Sequence, residues 1–241
     1  MRGYKFTFDN SFNTIPSVIR VDSCRQGLLA SIEQDEILYK AFNFHEKGFP
    51  DVIYQKPHNN TWCIYMKGGS LAFDEANHLV THLFKHPLSI NAQTYKMVDF
   101  DEIRNITILP SKTEHKLTYQ LITPLILFSS EHFPMYYSIL KKHNNDNDAL
   151  QEELKDAAKR LIVSNLKFQL QQQLKYKKFE ALDDVDIEWL DFTVKFGTFH
   201  RAERKTPMIF GRFKSTYELP RFIGQKIGKG FGQINLIRAG A

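Results

Sequence analysis

Residues 219–234 read LPRFIGQKIGKGFGQI, a stretch with four glycines among two lysines and one arginine. Glycine allows positive φ and the close approach of another backbone, and successive amide groups beside lysines can bind phosphate groups. A P-loop requires a following Gly-Lys-Ser/Thr, which is absent here. A dinucleotide-binding fingerprint requires a following helix, whereas the next predicted element here is a strand. The stretch alone fits either a phosphate-binding loop or a glycine-rich turn before an edge strand.

The pattern of the second half of the chain predicts the order β-α-β-β-x-β. Here x marks the place of a last helix, which the glycine-rich stretch mostly replaces. Apolar alternation predicts its strands, and apolar residues at helical spacing predict its helices. Residues Asp101–His115 are interpreted as the connection that enters this half. The predicted elements are a strand over Leu117–Phe128 that Pro124 interrupts, a short helix from Ser129, a long helix over Leu150–Tyr176, a hairpin of Ile187–Phe199 and Pro207–Tyr217, and a last strand over Gln233–Arg238.

The first half predicts the order β-α-β-β-α-β, which is the ferredoxin-like split unit. Ile37–Phe44 fits either a helix extension or a loop. The predicted elements are a strand over Tyr4–Asp9, a helix from Pro16 to Glu33, strands over Asp51–Lys56 and Thr61–Lys67, a helix over Ser70–Lys85, and one or two strands over Ile90–Phe100. We therefore expect an α+β protein of two tandem ferredoxin-like domains, residues 1–110 and 111–241.

Positive charge is concentrated near the C-terminus. The net charge is +5, yet the last 47 residues carry ten Lys and Arg against two Glu, a net +8, so the first 194 residues sum to −3. A basic segment beside a nearly neutral body favours a polyanionic partner. A solvated basic face remains the alternative.

Cysteine content and hydropathy predict the compartment. Cys24 and Cys63 have no spacing typical of a disulfide framework or a zinc site, which favours a reducing, cytoplasmic compartment. The first residues lack the apolar core of a signal peptide, and the longest apolar run is too short to span a bilayer. We expect a cytoplasmic protein that does not bind membranes.

Three segments carry a resemblance to a known family. Pro220–Ile234, with Gly230-Phe231-Gly232 before a strand, resembles the glycine-rich signature of the RAMP superfamily, most closely that of the CRISPR-associated repeat-processing endoribonucleases. Thr123-Pro124-Leu125 resembles the step that starts the second domain of that family, and His45–Lys56 resembles its histidine followed by a strand. The resemblance implies two tandem ferredoxin-like (RAMP/RRM-like) domains with a C-terminal glycine-rich loop.

The resemblance also implies a reaction that needs no metal and no cofactor. A ribose 2′-OH attacks the adjacent phosphate of a CRISPR repeat RNA, and the cut leaves a 2′,3′-cyclic phosphate and a 5′-OH. Histidine suits the proton transfers because its pKa lies near neutrality. His45 lies in a polar loop where the family places its catalytic histidine; an exposed loop histidine is the alternative. The further candidates are Tyr39 and Tyr54 as hydroxyl partners, and Lys47, Lys40 and Lys56 as cations that screen the phosphorane.

The candidate RNA contacts combine a basic hairpin with the glycine-rich stretch. Such a hairpin can follow a stem backbone, and arginine binds two phosphate oxygens at once. Three histidines at helical spacing, His78, His82 and His86, are interpreted as a half-exposed helix face rather than a metal site. The predicted RNA-binding residues are His200, Arg201, Arg204, Lys205, Arg212, Lys214, Arg221, Gly224, Lys226, Gly228, Lys229, Gly230 and Gly232.

These predictions leave three functions open. The first is a repeat-processing endoribonuclease, a monomer or homodimer, whose partners are CRISPR repeat RNA and, secondarily, a CRISPR effector complex. The second is a non-catalytic RNA-binding subunit of such a complex, in which His45 is incidental. The third is a ferredoxin-like module that binds a protein or a small metabolite, which the basic C-terminal segment disfavours.

Overall fold

The chain forms two compact units, each built on its own antiparallel sheet. One unit comprises Met1–Ile106 with Gly228–Gly230, and the other Thr107–Ile227 with Phe231–Ala241. The domain boundary expected between residues 110 and 111 stays a prediction. The computed structural model describes residues 2–17, 19–43, 51–66, 70–103, 110–128, 132–143, 147–174, 182, 184–198 and 205–237.

The first unit has the ferredoxin-like strand order. Its four-stranded sheet runs β2-β3-β1-β6, and every neighbouring pair is antiparallel. A small hairpin of β4 and β5 stands outside this sheet. The elements are β1 (Arg2–Phe8), α1 (Arg20–Ser31), α2 (Glu36–Asn43), β2 (Val52–Tyr54), β3 (Thr61–Met66), α3 (Ser70–Lys85), β4 (Leu88–Ile90), β5 (Gln93–Tyr95) and β6 (Met97–Ile103).

The second unit repeats that order. Its sheet runs β10-β7-β9-β8, again with antiparallel neighbours, and two helices separate its first two strands. Between β9 and β10, the described residues hold a short 3₁₀ turn at Ile227–Lys229 in place of an α-helix. The α+β fold with two tandem ferredoxin-like units is thus confirmed. The elements are β7 (Ser111–Leu121), α4 (Phe133–Lys142), α5 (Asn147–Leu174), β8 (Ile187–Thr198), β9 (Lys205–Glu218) and β10 (Ile234–Ile237).

Aromatic rings fill much of the first core, which accounts for many of the chain's aromatic residues. Phe12 stacks on Tyr95 with ring centroids 4.7 Å apart and meets Phe8 edge-on at 5.1 Å. Tyr54 stacks on Trp62 at 5.8 Å. In the second unit, α5 buries a leucine and alanine stripe against the sheet, where Leu166 and Phe213 belong to one cluster. Each core holds its helices against one face of its sheet.

Strand β7 begins at Ser111, so the connection predicted through His115 is wrong over its last residues. Those residues are polar, and apolar alternation does not reveal them. Lys112 pairs in register with Tyr217 of β9, and a bulge follows before Leu117. Backbone ladder bonds hold this polar half of the strand. The strand ends at Leu121, short of the predicted Phe128.

The predicted strand region over Ile90–Phe100 contains parts of three short strands. Asn91 and Ala92 adopt φ of 51° and 62°, as the turn between β4 and β5 requires. Ile37–Phe44, left open between helix and loop, is largely occupied by α2. Within the described part of the chain, no helix is long and apolar enough to cross a membrane.

We predict that Leu166→Ala lowers the free energy of unfolding by about 2–5 kcal/mol, the usual cost of emptying a buried leucine site. Leu166 has 0% exposure in the second core. Ser164→Ala, at an exposed position of the same helix, should change it by no more than about 0.5 kcal/mol. Urea unfolding measures both, and equal effects would show that α5 does not pack as described.

Candidate nucleic-acid interface

Two segments of the predicted family signature meet in the second unit. The amide of Gly232 donates to the carbonyl of Pro124 at 2.9 Å, and that of Gln225 donates to Ile126 at 2.8 Å. The loop also closes on itself, since the amide of Ile223 donates to Gly232 at 2.9 Å. The glycine-rich stretch is therefore pinned to the Thr-Pro-Leu step.

Glycine is required at two of these positions. Gly232 has φ of +69°, and a side chain there would overlap the carbonyl of Ile223. Gly224 has φ of +86°, and its missing side chain leaves room for Leu125 and the carbonyl of Ile126. Both positions need a left-handed backbone and a close approach, which L-residues with side chains resist.

A buried amide on α5 also holds the loop. Gln169 is buried, and its Nε2 donates to the carbonyl of Gly224 at 2.9 Å. The sequence reasoning did not single out Gln169, but a signal was present: a polar residue on the stripe that Leu166 and Leu170 define. A buried polar group at such a position needs a specific partner.

The predicted cations of β9 face carboxylates across the strand pair. Arg212 is exposed, and its Nε lies 2.5 Å from Oδ2 of Asp191, while its backbone amide donates to Oδ1 at 2.7 Å. Lys214 stands in register opposite Glu188. These carboxylates reduce the positive charge that the sequence suggests for this sheet face, so a phosphate group that binds Arg212 meets the negative charge of Asp191 beside it.

The loop cations have different exposure. Lys226 is exposed with φ of 59°, and Arg221 is half-buried. Gly230, at φ of +80°, belongs to the first unit, where a side chain would overlap Val21. Gly228 is also in that unit and half-buried. The structure does not describe His200, Arg201, Arg204 or the side chains of Lys205 and Lys229.

The candidate catalytic residues of the first unit are described only in part. His45 and Lys47 lie outside the described residues. Tyr54 is 1% exposed, its hydroxyl donates to the carbonyl of Phe42 at 3.0 Å, and burial raises its pKa well above the usual range. In this geometry Tyr54 supports the end of α2, and its predicted contact with substrate stays a prediction. Tyr39 is half-buried against the first core.

A pair of cations lies near the start of α1. Arg20 is buried, and its Nε and Nη1 donate to the Ile15 carbonyl at 3.1 Å and to Asn13 Oδ1 at 2.8 Å. The ammonium of Lys56 donates to the hydroxyl of Ser17 at 2.6 Å. Burial and the charge of Arg20 lower the pKa of Lys56. The neighbouring charges of Arg20 and Lys56 give this place a positive potential that suits an anion.

Arg20 was missed by the sequence reasoning. The signal was its place in the first helical turn, where a cation opposes the helix dipole and so needs other partners. Its bonds to the segment before α1 supply them.

The histidines of α3 serve packing contacts. His78 Nε2 lies 2.9 Å from Asp35 Oδ2, and His82 Nε2 lies 2.9 Å from the carbonyl of Ser31. His86 stacks near His82 with ring centroids 4.6 Å apart, and burial lowers the pKa of His82. Among the described residues, no group of three or more His, Cys, Asp or Glu side chains could hold a metal ion. The helix α3 is thereby fastened to the junction of α1 and α2.

Solved structures match nearly the whole chain, although the sequence matches no protein-family model and no curated protein. A crystal structure of Cas6b has a TM-score of 0.67 at 19% identity, over 98% of this chain and 100% of that chain. The CRISPR RNA processing endoribonuclease Cas6b has a TM-score of 0.53 at 17% identity, over 98% and 100%. A RAMP protein that binds different RNA substrates has a TM-score of 0.58 at 12% identity, over 99% and 100%.

The similarity to these structures confirms the resemblance stated from the sequence at the level of the fold. The chain has the fold of Cas6 and RAMP proteins over nearly its full length. What those proteins do is not carried to this chain by the fold alone.

We predict that Gly232→Ala lowers the free energy of unfolding by about 2–5 kcal/mol, the combined cost of a left-handed backbone and of overpacking. Lys226→Gly should leave stability unchanged or raise it by up to about 1 kcal/mol, because Lys226 also has positive φ and glycine relieves it. Urea unfolding of both variants tests the loop; a stable Gly232→Ala protein would refute its tight closure.

Proposed function

We propose that this protein is a metal-independent endoribonuclease that cuts CRISPR precursor transcripts within the repeat to release guide RNAs. The observation that carries the proposal is the match over nearly the full length of both chains to Cas6b structures, one of them a CRISPR RNA processing endoribonuclease. The pinned glycine loop and the C-terminal excess of positive charge agree with it.

In the proposed reaction, the 2′-OH of one ribose loses its proton to a base and attacks the adjacent phosphorus. A bond forms from phosphorus to O2′, the bond from phosphorus to O5′ breaks, and O5′ takes up a proton. The products are a 2′,3′-cyclic phosphate and a 5′-OH, and water is not consumed.

We assign the base to His45, which follows α2 by two residues. The bond from Tyr54 to the Phe42 carbonyl holds the end of that helix, so Tyr54 supports the chain that leads to His45. An unprotonated imidazole can accept the 2′-OH proton at neutral pH. Tyr39 and Lys47 remain predicted partners of the same site.

Lys56 is the described cation best suited to the phosphorane. A fixed positive charge in a partly desolvated site stabilises developing negative charge more than it does in water. Its lowered pKa indicates that the fold does not favour its charged form. A lysine whose pKa is perturbed in this way is a candidate for anion binding.

RNA contact is assigned to the predicted basic set of the second unit and the loop. Of its described members, Lys226 is exposed and Arg221 half-buried, and Arg212 is exposed with its Nε bound to Asp191, so its other guanidinium donors are the ones that would meet phosphate. A stem recognised through its phosphates gives binding that weakens steeply as salt rises.

We predict that the wild type cuts its CRISPR repeat RNA in EDTA and that His45→Ala slows this cut by about 10²–10⁴, the usual worth of a positioned proton transfer. Gel analysis of labelled RNA, with phosphatase treatment to identify the cyclic phosphate, measures rate and product. Binding should persist in the variant. Tight binding without cutting by either protein would favour the RNA-binding subunit, and cutting that survives His45→Ala would move the base elsewhere.

We predict that Lys56→Met slows the cut by about 10²–10³ while leaving the melting temperature unchanged or higher, because the folded state disfavours the Lys56 charge. Lys56→Arg keeps a charge at every accessible pH, so it should extend activity to higher pH. Lys85→Met, which removes an equal charge from an exposed site on α3, is the matched control. Equal rates for Lys56→Met and Lys85→Met contradict the assignment.

A further inference from the structure

Three aromatic side chains form a cluster at the surface of the second unit, two of them on α4 and one on β8. Tyr137 is 57% exposed and Phe196 is 53% exposed. Phe133, one helical turn before Tyr137, holds its ring centroid 6.1 Å from that of Tyr137. We name Phe133, Tyr137 and Phe196 the α4 aromatic patch.

The patch is supported from beneath. Tyr136 is buried in the second core, and its ring centroid lies 5.9 Å from Tyr137 and 6.0 Å from Phe196. Desolvation raises the pKa of Tyr136 to about 12. Tyr136 thus connects the α4 rings to Phe196 of β8 and gives them a fixed base.

Clustered exposed rings are a binding signal, whereas single ones are ordinary. Two other exposed aromatic residues, Phe84 on α3 and Phe168 on α5, make no ring-to-ring contact within the described part of the chain. Tyr137 and Phe196 instead share Tyr136. Rings in such a cluster keep their apolar faces in water without filling a core.

The helix that carries Phe133 and Tyr137 is positively charged at its C-terminal end. Residues 132–143 include Lys141 and Lys142 and contain no Asp or Glu. Glu153 on α5 pairs with Lys142 at 2.7 Å, whereas Lys141 is exposed and forms no ion pair with another described residue.

We propose that the α4 aromatic patch binds single-stranded RNA by stacking unpaired bases on Tyr137 and Phe196. Flat exposed rings among cations fit a chain of bases and phosphates, since every base has a face that stacks and every phosphate attracts lysine. A purely apolar protein partner would not need the surrounding cations. The inference rests on the proposed function, because the unpaired strand assigned to the patch is the flank of the repeat RNA that the proposed enzyme binds.

The test measures the affinity of the full chain for two labelled RNAs by fluorescence anisotropy: a stem-loop alone, and the same stem-loop with an unpaired adenylate flank. Tyr137→Ala and Phe196→Ala should weaken binding of the flanked RNA about fivefold to a hundredfold and leave the bare stem-loop unchanged. Tyr137→Leu should behave like Tyr137→Ala, because leucine keeps the apolar surface but cannot stack. Tyr137→Trp should retain affinity.

Phe168→Ala, which removes a similarly exposed ring from α5, is the matched control and should bind both RNAs as the wild type does. Equal affinity of wild type and patch variants for the flanked RNA would overturn the proposal. Full rescue by Tyr137→Leu, or a change in sedimentation without a change in RNA affinity, would reassign the patch to protein contact. Cleavage of the bare stem-loop in EDTA is scored separately, so failure of the nuclease proposal is distinguished from failure of the patch.

Discussion

The hydrogen bonds from Gly232 and Gln225 to Pro124 and Ile126 hold together two segments that lie about a hundred residues apart in sequence. A ferredoxin-like unit normally covers its sheet here with a helix, and the second unit uses a loop instead. The loop has few internal ladder bonds, so its amides need partners from elsewhere. The irregular backbone after β7 supplies them, and the position of the loop cations depends on that match.

The sequence predicted the helices and strands in which buried apolar side chains recur at regular spacing. α3 begins and ends where expected, and α5, β8 and β9 lie within a few residues of their predicted bounds, because apolar spacing reports directly which side of an element is buried. The start of β7 was missed because its residues are polar and are held by ladder bonds to β9. Backbone pairing leaves no trace in side-chain periodicity.

Candidate site residues were predictable by type but not by environment. In the sequence, Tyr54 cannot be told from any other tyrosine in a strand. Only the fold reveals that its hydroxyl donates a hydrogen bond to the carbonyl of Phe42. Arg212 and Asp191 are 21 residues apart, and their pairing follows from the register of β8 and β9. Gln169 is a polar residue on an apolar stripe, and Arg20 is a cation in the first turn of a helix. Such positions indicate that the side chain needs a specific partner, but the sequence does not say which residue that partner is.

The loop between β9 and β10 also covers part of the second core. Leu219, Ile223 and Ile227 are buried, and the first two join the cluster that α5 forms. A residue exchange in the backbone of this loop therefore alters stability and any surface contact together. Lys226 has an exposed side chain, so its replacement by another residue with a side chain changes the surface charge without disturbing the core. Recognition can consequently diverge between relatives through charges displayed on an unchanged frame, while the glycines and isoleucines stay constrained by folding.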